Sequence, residues 1–335
     1  MFPSIYASDR ADPPGDRVIF FWRRGTSVFV NRRISSCFSI ALLLWAAAFP
    51  VRMEAGEQPG SVVPIDAVNE LVESAARGEP AAMLQMAQLH EQGVRGMDGT
   101  LIIPRNLTES FKLYVALGAG DLIPEALFAA GICHEMGLGI TADPAKAVEY
   151  YQKAVRLNHP PALLKMAELL MDGRLFRKDV DRGLEFLEAA SRGGSPDGAH
   201  QLALVHLQGR FGKPVDAARG VQWLIEAATR GHVAAIQAMA ELRQAGIPGI
   251  LERDAGEAMK WFLILAKVGN LPQAAAQKIQ ALRNAMTQAE AQEADDNAVK
   301  WLRELEAAQA KIREEAQQAA ERRFAAFNAA RSGVR

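Results

Sequence analysis

Small, apolar and glycine positions recur along this chain in register. Glycines stand at Gly93, Gly137, Gly173, Gly209 and Gly246, at spacings of 44, 36, 36 and 37. Six residues before each comes a small residue: Ala87, Gly131, Ala167, Ala203 and Ala240. Five residues earlier again stand Ala82, Ala126, Ala162, Gly198 and Ala235. A fourth column is aromatic, with Tyr114, Tyr150, Phe186, Trp223 and Trp261. Columns that hold register over five units mark a repeat. The pattern predicts a helix, a loop and a second helix in each unit.

The stretch GLGITADPAKAVEYYQKA (137–154) shows the logic of one unit. Pro124 suits a first helical position, and the helix it opens runs to Met136, where Gly137 supplies a left-handed stop. Asp143 caps the second helix, which Asn158-His159-Pro160 ends. Asp179, Asp216 and Asp254 stand near the start of the later second helices. The glycine pair Gly137/Gly139 lacks the Gly-Lys-Ser/Thr element and preceding strand of a phosphate loop, so its role is architectural. Small columns let helices approach, and the aromatic column fills the space between successive pairs. Such a unit cannot bury its apolar face alone and depends on stacking.

These columns, with Asp and then Lys-Ala-x-x-Tyr-Tyr-x-Lys-Ala, resemble the Sel1-like repeat family, relatives of tetratricopeptide repeats. The best match is 126–161, and the resemblance covers about residues 66–286. It implies an all-α fold, a right-handed α-solenoid of about five helix-turn-helix repeats. It also implies a non-enzymatic scaffold or adaptor that grips a protein partner on the concave face lined by first helices. Solvent-facing positions there, Gln85, Gln88, Lys165, Glu168, Gln201 and Glu241, are the candidate contacts. Two departures stand out. The first unit has a longer interhelical loop, VRGMDGTLIIPRNLTE (94–109), whose apolar Leu101-Ile102-Ile103 either tucks against the array or meets a partner. The third unit has Gly183 where alanine is usual.

Outside the repeats, 66–77 reads as an N-terminal capping helix and 272–283 as a degenerate sixth first helix. Thr287-Gln288-Ala289-Glu290 is a capping box. It opens an Ala/Glu/Gln/Arg-rich segment, 287–335, that reads as a capping and extended helix. Its start resembles the terminal helix that closes Sel1-like arrays. The alanine-rich seam is weak for a coiled coil, and a partner-binding helix is the alternative.

At the N-terminus, basic Asn31-Arg32-Arg33 precedes the apolar run CFSIALLLWAAAFP (37–50), which is short of the roughly 20 residues of a membrane span. Residues 1–55 therefore read as a prefix and signal peptide, with 56–65 a flexible leader. An uncleaved anchor is the alternative, and only then would the protein meet a membrane. A valine start at Val28 or Val30 would leave an ordinary signal peptide. The implied location is exported and periplasmic.

Composition narrows the chemistry. A formal charge of -1 gives no bulk attraction to nucleic acid. Two cysteines, Cys37 and Cys133, one of them in the export segment, exclude a disulfide framework for the mature chain. His90, His134 and His206 share one column, but equivalent helices lie about 10 Å apart, too far for shared zinc ligands near 2 Å. They read as half-buried structural residues, with a pH-sensing stack as the alternative. Cys133 reads as core. No Ser-x-x-Lys nucleophile occurs, and no metal or cofactor is expected. An envelope enzyme or ligand receptor acting on cell-wall material remains the alternative to the adaptor.

Overall fold

The computed structural model describes residues 65–95, 100–173, 177–269 and 273–332. The expected prefix and signal peptide, 1–55, and almost all of the expected leader, 56–65, lie outside these residues. Five antiparallel helix pairs follow one another: α2 (Pro80–Gln92) with α3 (Leu107–Gly118), α4 (Pro124–Met136) with α5 (Pro144–Arg156), α6 (Pro160–Asp172) with α7 (Val180–Arg192), α8 (Pro196–Gln208) with α9 (Ala217–Thr229), and α10 (Val233–Ala245) with α11 (Ala255–Val268). Helix α1 (Ile65–Ala76) precedes them, and α12 (Gln273–Asn284) and α13 (Gln288–Ser332) follow. The fold is all-α, a repeat solenoid.

Each boundary has a local cause. The side chains of Asp143, Asp179, Asp216 and Asp254 accept from the backbone N–H three residues on, at 2.9–3.1 Å. Asn106 does the same for α3. Such a cap satisfies one of the orphan donors at a helix start, at about 1 kcal/mol. First helices end on the repeat glycines, all at positive φ. Gly137, Gly173 and Gly209 are left-handed, whereas Gly93 and Gly246 pair φ 74° and 75° with ψ 150° and 160°. That extended positive-φ region admits essentially glycine alone. Both of these loops then double back, Val94–Arg95 (β1) onto Leu101–Ile103 (β2), and Ile247 onto Leu251.

The small columns form the seam between helices. Ala87, Ala167, Ala203 and Ala240 are fully buried, as are Ala126, Ala162 and Ala235. A Cβ on Gly131 would sit 2.5 Å from Tyr151 Cε1, and one on Gly183 would sit 2.4 Å from Met171 Cγ. Gly183 therefore admits a methionine that alanine would crowd.

Two sequence expectations are refined. Tyr114 follows its cap Asn106 by the same interval as Tyr151 follows Asp143, so Tyr114 belongs with Tyr151, Leu187, Leu224 and Phe262, all essentially buried. Its true neighbour in the column of Tyr150, Phe186, Trp223 and Trp261 is Leu113. Trp261 is buried and the other three are half-buried. The insertion in the first unit hid this one-residue shift. Within the loop 94–109, Val94–Arg95 and Leu101–Ile103 pair antiparallel, and burial deepens along the second strand: Leu101 stays exposed, while Ile103 joins Val68, Met86 and Val94 in the core.

Helix α13 is one unbroken helix of 45 residues, about 67 Å at 1.5 Å per residue. Its capping box is formed, with Thr287 N donating to Glu290 at 2.8 Å and Glu290 N donating back to Thr287 at 3.3 Å. Ala291, Ala294 and Ala298 complete the apolar core of α10 to α12, and Trp301 meets Trp261 edge-on at 5.5 Å. The distal half then returns along the array. Arg323 pairs with Glu125 at 2.9 Å, and Arg331 donates to the Gly78 carbonyl at 3.0 Å.

Candidate functional site

The first-helix positions singled out from the sequence divide by exposure. Gln201 and Glu241 are exposed; Gln85, Gln88, Lys165 and Glu168 are half-buried. Glu241 accepts from Gln237 at 3.2 Å and faces Lys278 of α12 at 3.5 Å. Lys165 is drawn inward, with a side chain only 14% exposed, bridging Glu135 of α4 at 2.9 Å and Glu168 at 3.4 Å. The Tyr151 hydroxyl donates to the same Glu135 at 2.5 Å. A polar chain thus runs from α5 through α4 to α6, joining two successive units on their first-helix side.

Glu91 occupies the position of Glu135 one unit earlier, and Tyr114 that of Tyr151. Here burial pushes the Glu91 carboxyl up to about 7, while the hydroxyls of Tyr114 and Ser110 and the Arg105 guanidinium oppose the shift. In the third and fourth units the same pair is apolar, Met171 with Leu187 and Leu207 with Leu224. This carboxylate–tyrosine pair was not singled out from the sequence, although Glu two residues before the repeat glycine and Tyr in the second helix are legible there.

A hollow of about 750 Å³ lies between α3 and α5, lined by Phe111, Val115, His134, Ile140, Lys146 and Tyr150 among others. His134 meets Phe111 edge-on at 5.3 Å and stacks on Tyr150 at 5.4 Å. Burial, and then the Lys146 charge, hold its pKa below the usual histidine value. His90 lies 3.4 Å from the Pro104 carbonyl. His90 and His134 are thus separately engaged. A different pair stacks: His200 on His232 at 4.1 Å, with His232 3.4 Å from Asp197. Burial, with the neighbouring His232, lowers His200 to about 4. Among the described residues no group of three His, Cys, Asp or Glu is placed to hold a metal ion. Cys133 is buried, and burial pushes its thiol up to about 12, which disfavours the thiolate.

Stacked helix pairs with polar first-helix positions define a protein of the helical-repeat interaction class. The chain belongs to the Sel1 repeat family, matching it over residues 80–115, 124–159, 160–195, 196–232 and 233–270. Sel1 repeats are protein-interaction modules. It is 28% identical over 177 residues to Chitin synthase regulatory factor 3 of Schizosaccharomyces pombe, covering 51% of this chain and 18% of that protein. It is 27% identical over 135 residues to Chitin synthase regulator SKT5 of Saccharomyces cerevisiae, covering 38% of this chain and 19% of that one. The chain thus spans under a fifth of either relative. Among solved structures, a Sel1 repeat protein from Oxalobacter formigenes superposes with a TM-score of 0.53 at 24% identity, covering 71% of this chain and 99% of that one.

Proposed function

We propose that this protein is a non-enzymatic adaptor of the bacterial cell envelope, exported to the periplasm, that holds a protein partner on the face formed by successive first helices. The observation that carries this reading is the stack of five Sel1 repeats, whose first helices expose polar side chains such as Gln201 and Glu241. A repeat array offers an extended surface assembled from many small units, suited to gripping a chain rather than to focusing charge on one reacting atom. Two matched relatives are named as regulators of a synthase rather than as the synthase, which supports a regulatory or assembly role. The basic run before the apolar segment 37–50 supports export.

The test is a charge-altering pair, Gln201→Lys with Glu241→Lys, made in the tagged protein. Capture of a partner by in-cell crosslinking is expected to fall at least tenfold while circular dichroism is unchanged. Unchanged capture by the folded variant sinks the first-helix surface as the binding face. N-terminal sequencing of the exported protein checks the location, and a mature chain retaining residues 1–50 contradicts a cleaved signal.

A further inference from the structure

The distal half of α13 is the most unusual feature of the molecule. Its proximal half is core, with Ala291, Ala294, Ala298 and Leu305 buried, and Leu305 and Gln309 lie against Gly231 at the turn into α10. From 306 to 316 every residue is exposed. Ile312 stands one heptad beyond Leu305, on the same helical stripe, yet is 47% exposed. The stripe then regains contact. Phe327 is buried, with Arg331 over its ring at 5.8 Å. Arg323 reaches Glu125 in the first turn of α4, and Arg331 reaches the carbonyl before α2. Arg323, Phe327 and Arg331 are four residues apart, so they lie along one face of the helix. The array therefore holds a helix at the start of its first two repeats, through an acidic side chain, a buried site for one ring and a backbone acceptor. The solvent-exposed segment 306–316 separates that hold from the buried proximal half of the helix.

We propose that the start of α2 and α4 is a helix-binding site for a partner helix presenting arginine, phenylalanine and arginine at four-residue spacing, and that residues 317–332 occupy it in cis. An own segment tethered by a short span competes at an effective concentration on the order of millimolar. A partner helix enters when its affinity or abundance exceeds that, and its entry frees the distal half of α13. The surface is separate from Gln201 and Glu241, so either proposal stands or falls alone.

The probe is a fluorescein-labelled peptide of residues 313–332. The acceptors are the full-length protein and the full-length Arg323→Glu/Phe327→Ala/Arg331→Glu variant. The peptide is expected to bind the variant at least tenfold more tightly than the wild type. Adding Glu125→Lys should abolish that binding, and an Arg323→Glu peptide should recover part of it. Equal binding to both acceptors, or no binding to a folded variant, overturns the proposal. If the triple variant does not fold, hydrogen exchange on Glu125→Lys alone decides. Loss of protection confined to 317–332, with binding of the Arg323→Glu peptide and not of the wild-type peptide, supports the site, and unchanged protection there refutes it.

Discussion

Replacing Gly131 by alanine tests the packing of the array at a close contact between first and second helices. The new Cβ would lie 2.5 Å from Tyr151 Cε1, 2.7 Å from Cδ1 and 3.2 Å from the Ala147 carbonyl. Tyr151 is fully buried and its hydroxyl is fixed on Glu135, so the ring has little room to give. Overpacking of this kind costs about 1–3 kcal/mol. Against it, alanine in place of glycine inside a helix gains about 0.5–1 kcal/mol. The clash wins, and Gly131→Ala should destabilise by about 1 kcal/mol. The third and fourth units carry alanine with leucine at these two positions, Ala167 with Leu187 and Ala203 with Leu224, both pairs fully buried. In the Tyr151→Leu background the sign should therefore reverse, with Gly131→Ala stabilising by about 0.5 kcal/mol as the helix-propensity gain emerges. Urea unfolding followed by circular dichroism on the four proteins of this cycle gives the coupling, expected at about 1–2 kcal/mol. Additive effects within about 0.3 kcal/mol would refute the placement of Tyr151 over Gly131.

Glu91 predicts a pH dependence of opposite sense to an ordinary ion-paired carboxylate. Its folded pKa of about 7 lies above the usual 4.5, so the folded state holds a proton that the unfolded chain releases. That contribution is complete below pH 4.5 and is lost as pH rises through 7. Glu91→Gln should raise stability at pH 8 by about 2 kcal/mol, allowing for its partial exposure, and leave it nearly unchanged at pH 4; parallel thermal-melting curves across pH contradict this. Gly139→Ala should destabilise more than Gly194→Ala. Both have positive φ, but the first would put a Cβ 2.3 Å from the Leu107 carbonyl oxygen and the second meets nothing within 4 Å. Equal losses in urea midpoint would show that the contact between loop 138–142 and α3 carries no weight. Asp216→Ala should cost about 1 kcal/mol by removing the cap on α9, read in the same unfolding assay, with no loss counting against the capping role.

The array was legible because its causes are local and repeated. A glycine that must take positive φ, an aspartate that must cap and an alanine that must be small each leave a fixed residue type at a fixed interval. The first unit shows where that fails. Leu113 and Tyr114 are both large and apolar enough for either column, and the inserted hairpin removes the interval that would have chosen between them. The hairpin itself has strands of two and three residues, too short for alternation to register. The polar chain Tyr151–Glu135–Lys165 was half visible: Lys165 was singled out, but as a surface contact rather than as a link between units. The docking of α13 left the weakest trace. Its contacts join residues 198 and 253 positions apart, and an alanine-rich stripe with one buried ring carries little amphipathic signal. The candidate face fared in between, because a repeat pattern shows which residues point away from the core but not which of them a neighbouring charge has already engaged.

The central claim is that the first-helix face receives a protein. Site-specific photocrosslinkers placed at Gln201 and Glu241, and as controls at the exposed second-helix positions Glu185 and Gln222, test it in living cells. The account predicts a discrete adduct to one protein from the first pair and none from the controls. Adducts from the controls alone, or none from any position while the protein is folded and exported, would contradict it.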